Sequence, residues 1–423
     1  MRENSESVGH SRREVLQLAA ASAVASAATL ALPGRLSAAS GTLRSAGVLA
    51  FSPNNVLFVG DITGAKIHAF ALRDKDLTSQ IDVISGNFHN FEGRDHVVGL
   101  DQKLAALLGT TIDKIVVNDM AVHQPTQQIF LSVERGRGTN AVPAIVKVNH
   151  GRLEILDLDS IPHSQVSLPN QPDSKAMLEF EPQQVYAITD LEYYNGELFV
   201  SGITNQRFAS TLYRIPYPFN SKMATCTVEI WHPVHGEFET RAPIIRHVIR
   251  ELNGTPYLFA VYGCTPLVRF PVAALKDGAH VHGDVIGELG YGANPLDMLT
   301  FTSPADSKDY LLVTIDTRSA SQIAVSDLAS APPQATGGGI DFGPGGLGRT
   351  QRALPIKAEH IAILNSKWAV LIWRHPKTTY RLDLSTLALP YFFERKDGMS
   401  EMNWPNGPDP FEYGKHRSEL SNQ

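Results

Sequence analysis

VVNDMAVHQPTQQIFLSV, Val116 to Val133, is the stretch whose reading decides the architecture. It reads as two short strands joined by a polar turn, with the pair Asn118-Asp119 at the entry to the first strand. The phrase recurs as TDLEYYNGELFVSG from Thr189, LDMLTFTSPADSKDYLLVTID from Leu296 and EHIAILNSKWAVLIWRH from Glu359. Looser copies are RHVIRELNGTPYLFAVYG from Arg246 and VLAFSPNNVLFVGD from Val48. Self-similarity at roughly 50- to 70-residue intervals marks a repeat architecture, in which each copy is one supersecondary unit.

The unit here is short strands and turns, so the expected fold is all-β, a six-bladed β-propeller over residues 40–394. In the first blade QIDVIS, from Gln80, is expected as the fourth strand. Gly99–Gly109 carries Leu100, Leu104, Leu107 and Leu108 on one face, with Asp101 near its start, and predicts a short inserted helix. The glycine-rich run Thr336–Gly348 lacks the Lys-Ser/Thr and the following helix of a phosphate loop, and reads as a surface loop. Residues 395–423 form a polar tail.

Composition narrows the function. Apolar residues make up 43% and charged residues 19%, enough for a large core, and a formal charge of −6 argues against a nucleic-acid partner. Two cysteines, Cys226 and Cys264, make no disulfide framework; one bridge and two inert thiols both remain open.

The N-terminus is the most specific signal. Ser11-Arg12-Arg13-Glu14-Val15-Leu16-Gln17 resembles the twin-arginine export motif, followed by an Ala-rich apolar stretch and small residues at Ser37-Ala38-Ala39. Residues 1–39 are therefore expected to be a signal peptide. The stretch is too short and Ala-dominated for a stable membrane span. The resemblance implies the twin-arginine export machinery as partner, a periplasmic or secreted product, and passage in the folded state.

Aligning the copies on their first strand brings Asp119, Asp190, His247, Asp297 and His360 to one position, with Val48 in the first blade. First strands line a propeller's channel, so these five converge on one mouth. Carboxylate and imidazole are divalent-metal ligands; two His among them favour Zn, Mn or Fe over Ca. The loops between second and third strands open on the same face and offer Asp61, Glu134, Arg135, Asn205, Cys264, Asp316, Arg318 and His375. Asp119, Arg318 and His375 are the catalytic candidates, since an acidic ring with nearby Arg can activate water and stabilise an oxyanion. Against this, Asp at a strand entry often does no more than accept backbone N–H bonds.

Weaker candidates are His89, Glu92 and His96 as a lid, and His232-Pro-Val-His235 with Glu239. In extended chain residues three apart face opposite ways, so the last two His share a site only if the segment turns. No Gly-x-Ser-x-Gly elbow supports a serine hydrolase.

Asn118-Asp119 and the count of copies resemble six-bladed propellers of the gluconolactonase/regucalcin and NHL-repeat kind. That resemblance implies a divalent metal held at the channel mouth, polarising a small-molecule substrate. Thr189-Asp190 and Leu296-Asp297 keep only the Asp, and His enters at two positions. The expected function is metal-dependent hydrolysis of lactone or ester substrates. The alternative is a non-catalytic propeller that binds a protein or small ligand on its channel face. A redox or cofactor-bearing propeller, suggested by the export route alone, ranks third.

Overall fold

The computed structural model describes residues 42–80, 97–178, 181–220, 222–290, 294–316, 320–334, 345–347, 350–352, 358–374 and 382–389. All of these lie in one compact unit, Ala38–Gln423. The fold is an all-β propeller, and the repeats are its strand groups.

The first group is β1 (Leu49–Phe51), β2 (Val56–Asp61) and β3 (Lys66–Ala71). Helix α1 (Leu100–Leu108) follows, ended by Gly109 at φ 63°, the left-handed conformation that glycine adopts without penalty. The second group is β4 (Ile115–His123), β5 (Gln128–Arg135), β6 (Val142–Asn149) and β7 (Arg152–Ile155). The chain then returns: β8 (His163–Ser167) pairs antiparallel with β3, from Lys66 opposite Ser167 to Phe70 opposite His163. The strand beside β3, expected from QIDVIS, is thus contributed after the second group. Of that segment only Gln80 is described. β9 (Met177–Leu178) and β10 (Glu181–Pro182) form a small ribbon.

The third group is β11 (Asp190–Tyr194), β12 (Glu197–Ile203), β13 (Ser210–Pro216) and β14 (Ala224–His232), with β15 (Glu237–Glu239) on its edge. The fourth is β16 (Ile244–Leu252), β17 (Thr255–Tyr262), β18 (Pro266–Pro271) and β19 (His280–Glu288). Asn195-Gly196 and Asn253-Gly254, all at positive φ, supply the two-residue hairpin turns in these groups. The outer strands β14 and β19 pair in parallel, which joins the two groups into one sheet. The fifth group is β20 (Pro295–Thr302), β21 (Asp309–Ile315) and β22 (Ala320–Ala324), followed by α2 (Val325–Ser330). β23 (Gly345–Gly346) pairs with β19 and β24 (Thr350–Arg352) with β22. The sixth is β25 (Ala358–Asn365), β26 (Trp368–Arg374) and β27 (Leu382–Ala388), edged by a bridge from Val97 to Leu384.

Neighbouring first strands touch in a closed circuit: β1, β11, β16, β20, β25, β4 and back to β1. The second group therefore lies between the sixth and the first, not between the first and the third. Apolar layers fill each junction. Leu57 and Phe70 meet Phe130 and Ile145; Phe58 and Val48 meet Leu198 and Val200; Leu131 and Val146 meet Val370, Ile372 and α1. Further layers lie between the third and fourth, fourth and fifth, and fifth and sixth groups. A sheet covered on both faces needs apolar residues on both sides, hence the unbroken runs VLFV, IFL, LFV and AVLI of the second strands.

Candidate functional site

The entries of four first strands share an irregularity. Pairing skips one residue between Val117 and Asp119, Ile244 and Arg246, Pro295 and Asp297, and Ala358 and His360. A bulge bends the strand and re-aims the side chain that follows it. The residue after each skip takes the equivalent position, and Asp190 matches it: Asp119, Asp190 and Asp297 sit opposite Ser132, Ser201 and Thr314. In the fourth group this position belongs to Arg246. His247, expected there, is one residue too far along the strand. A slip of one residue turns a side chain to the other face of the sheet, and His247 packs against the third group with Nδ1 3.2 Å from Ser201 Oγ.

Each Asp ties its strand to the next, and Asp297 Oδ1 also accepts the Met298 amide at 2.8 Å. Asp119 Oδ2 accepts the Leu49 N–H at 2.7 Å, Asp190 Oδ2 that of His247 at 2.7 Å, and Asp297 Oδ2 that of Ile361 at 2.8 Å. Every acceptor reaches the next first strand in the same direction around the circuit, at alternate junctions. The other oxygens face Arg246, whose guanidinium is buried among all three carboxylates. Nε lies 3.3 Å from Asp297 Oδ1, Nη1 3.5 Å from Asp190 Oδ1 and Nη2 3.5 Å from Asp119 Oδ1. Asp190 and Asp297 flank it in the circuit, and Asp119 lies opposite, so the side chain spans the channel. His360 stands between Asp297 and Asp119. Its Nε2 is 3.3 Å from the Val117 carbonyl, and its Nδ1 is 3.6 Å from Asp119 Oδ1 with no hydrogen-bond partner among the described residues.

Charge explains the titration of the ring. Three buried carboxylates face one guanidinium. Burial pushes Asp190 up to about 7, against the pull of Arg246 and the His247 amide. Burial also raises Asp297, opposed by Arg246. At Asp119 burial works upward too, but Arg246, His360 and the Leu49 amide outweigh it and hold the carboxyl below its ordinary range. The carboxylates keep Arg246 protonated in spite of its burial. Burial drops His247 to about 3, which makes it neutral. One of Asp119, Asp297 and His360 offers each corner of a triad whose donor atoms all lie within 4.8 Å.

Several loop candidates are engaged in turns and clamps. Asp61 accepts from the Arg44, Ser45 and Gly64 amides, and Glu134 lies 3.4 Å from the Ala46 amide. Asn118 Nδ2 donates to the Ala46 carbonyl, Arg135 to that of Leu108, and Asp316 accepts the Asn294 amide. The Asn205 amide donates to the Asn170 carbonyl. Arg318, His375, His89, Glu92 and His96 lie outside the described residues. The His232–His235 segment does turn, closed by Gly236 N–H to the His232 carbonyl. Both imidazoles therefore meet Glu239, at 2.7 and 2.5 Å, beside Cys264. Cys226 is buried elsewhere, with its thiol pushed up to about 12, and the two cysteines are not bridged.

No protein-family model matches the chain, and no curated protein sequence matches it. Among solved structures it is similar to a protein of unknown function from Dyadobacter fermentans, at 10% identity and a TM-score of 0.33, over 83% of this chain and 96% of that one. It is also similar to the periplasmic gluconolactonase of Pseudomonas aeruginosa, at 12% identity and a TM-score of 0.33, over 81% of this chain and 88% of that one. A streptogramin B lyase aligns at 11% identity and a TM-score of 0.33, over 82% of this chain and 95% of that one.

Proposed function

We propose that this chain is an exported six-bladed propeller that holds a divalent cation on Asp119, Asp297 and His360, and hydrolyses lactone or ester substrates at that channel mouth. The observation that supports it is buried His360, whose Nδ1 has no hydrogen-bond partner among the described residues and stands between two carboxylates with all three donors within 4.8 Å. Three carboxylates against one guanidinium leave negative charge in excess, which a proton on Asp190 relieves only in part. The donor set of one imidazole and two carboxylates suits Zn, Mn or Fe. Such an ion would polarise a carbonyl and lower the pKa of bound water. Asp119 stays ionised, as a ligand or base requires, while Asp190 holds a proton near neutrality, as an acid requires. Arg246 orients the carboxylates and is the cation nearest to any developing oxyanion.

A second reading has its own support. The Asp–amide links and Arg246 already join the strands across the channel without any ion, which suits a non-catalytic propeller with a ligand face. Metal analysis and Mn²⁺ or Zn²⁺ titration of protein exported by its native host, beside His360→Ala and Asp297→Asn, decide between them. Loss of one equivalent of bound metal in both variants, with lactone or ester turnover in the wild type alone, is the expected result. Equal metal content in all three proteins would remove these residues from any site.

A further inference from the structure

A second group of metal-ligating side chains lies away from the channel, where β14 and β19 pair in parallel and join the third and fourth strand groups. Thr227 stands opposite His280 and Glu229 opposite His282. Alternate residues of a strand share a face, so the pattern Thr-x-Glu on one strand and His-x-His on the other puts four polar side chains on one outer face. Val228 and Val281 between them point into the core.

We propose that Glu229, His280 and His282 form a surface site for a divalent transition metal of the Zn²⁺ class, which staples the two strand groups together. Glu229 reaches both rings: Oε2 lies 3.2 Å from His280 Nε2 and Oε1 lies 2.8 Å from His282 Nδ1. The three donor atoms fall within 4.8 Å of one another. Donors in a tetrahedral zinc site with bonds of about 2.1 Å stand about 3.4 Å apart, so only small side-chain shifts separate this arrangement from ligation. The rings are also held from behind. Thr227 Oγ1 lies 2.7 Å from His280 Nδ1, and as the acceptor of an Nδ1–H it leaves the Nε2 lone pair facing Glu229. A hydrogen bond of this kind to the far nitrogen fixes the tautomer of ligating histidines. Phe208 packs on the His280 ring at 4.2 Å and Phe238 stands edge-on to His282 at 6.0 Å. Glu229 is buried under the two imidazoles, whereas His282 is 65% exposed and leaves open coordination positions toward solvent.

The site differs from the channel in access and in charge. It shares no residue with Arg246 and its partners, and among the described residues Glu229 pairs with two imidazoles and with no guanidinium. A ring nitrogen that donates a hydrogen bond to Glu229 has no lone pair for a metal at that atom, so metal and protons compete for the same positions.

The test titrates chelator-stripped full-length protein with Zn²⁺ by calorimetry, and with Co²⁺ by visible absorption. His360→Ala serves as the background, so that channel binding does not enter. In that background one equivalent of Zn²⁺ is expected, with a rise in Tm and Co²⁺ bands of a four- or five-coordinate site. Adding His282→Ala, at an exposed position, abolishes the binding and the Tm shift while leaving the metal-free Tm unchanged. Adding Thr227→Val weakens Zn²⁺ about tenfold, as loss of a supporting hydrogen bond does at metal sites. Zn²⁺ binding of the same stoichiometry and affinity with and without His282, or no Zn²⁺ binding in the His360→Ala background, overturns the proposal.

Discussion

Arg246 is the residue on which the channel mouth turns. It places one guanidinium between carboxylates from the second, third and fifth strand groups. Arg246→Met would leave those carboxylates buried without a counter-charge, and breaking a buried pair in this way costs about 3–5 kcal/mol. Urea unfolding of the variant measures that loss; stability within experimental error of wild type would mean that the carboxylates are already protonated. Asp190 makes a separate prediction because burial raises it to about 7 from its ordinary 3.8. A carboxyl that holds its proton more tightly in the folded state favours folding fully below its unfolded pKa. That contribution is lost as pH rises from about 4 through about 7. Asp190→Asn still accepts the His247 amide and has no charge to bury. Its stability relative to wild type is therefore expected to improve on going from about pH 5 to about pH 8, read from urea midpoints. A constant difference across that range would show Asp190 to be ionised throughout. Asp119, Asp190, Asp297 and His360 were legible from the aligned repeats. Arg246 was not, because the β16–β17 hairpin is longer: Arg246 and its partner Val261 stand farther apart in sequence than Asp119 and Ser132, so an alignment by spacing lands on His247.

At the scale of the element, β8 is the strand that local sequence conceals. HSQVS is a half-polar edge with no apolar run, and its partner β3 lies about a hundred residues earlier. The bonds from Ala71 N–H to the Pro162 carbonyl and from Leu168 N–H to the Ala65 carbonyl set the alternation along the pair. In an antiparallel ladder bonded pairs recur every second residue, so the amides of Ser164 and Val166 point at β3 and that of Gln165 points away. Ser164→Pro should therefore lower Tm well below that of Gln165→Pro, since it alone removes a ladder donor and leaves a buried carbonyl unpaired, at about 1–3 kcal/mol. Equal Tm for the two would mean that β8 does not pair in this register. The helix α1 shows the opposite case: its leucine spacing and flanking glycines are local signals, and Leu100, Leu104 and Leu108 are buried where the spacing places them.

For the whole molecule, each apolar layer is shared by two neighbouring strand groups and the circuit of first strands is closed. No group can leave without exposing two layers. Unfolding in denaturant is therefore expected as one transition, with tryptophan fluorescence and far-ultraviolet circular dichroism giving the same midpoint. Trp231 reports on the third group and Trp368 and Trp373 on the sixth. Separate midpoints would show that the ring opens in parts. The amino-acid sequence by itself determined the all-β repeat, the doubly buried second strands and the acidic strand entries. Each of these follows from residue type and spacing within a few dozen residues. Tertiary structure alone decided that the second group sits between the sixth and the first, that β8 returns to β3, and that Arg246 reaches three carboxylates across the channel. The physical reason is one of range: the Arg246 ion pairs join residues 51 to 127 positions apart and His360 meets Val117 across 243 positions, and no local periodicity encodes which distant partner a polar edge or a buried charge will meet.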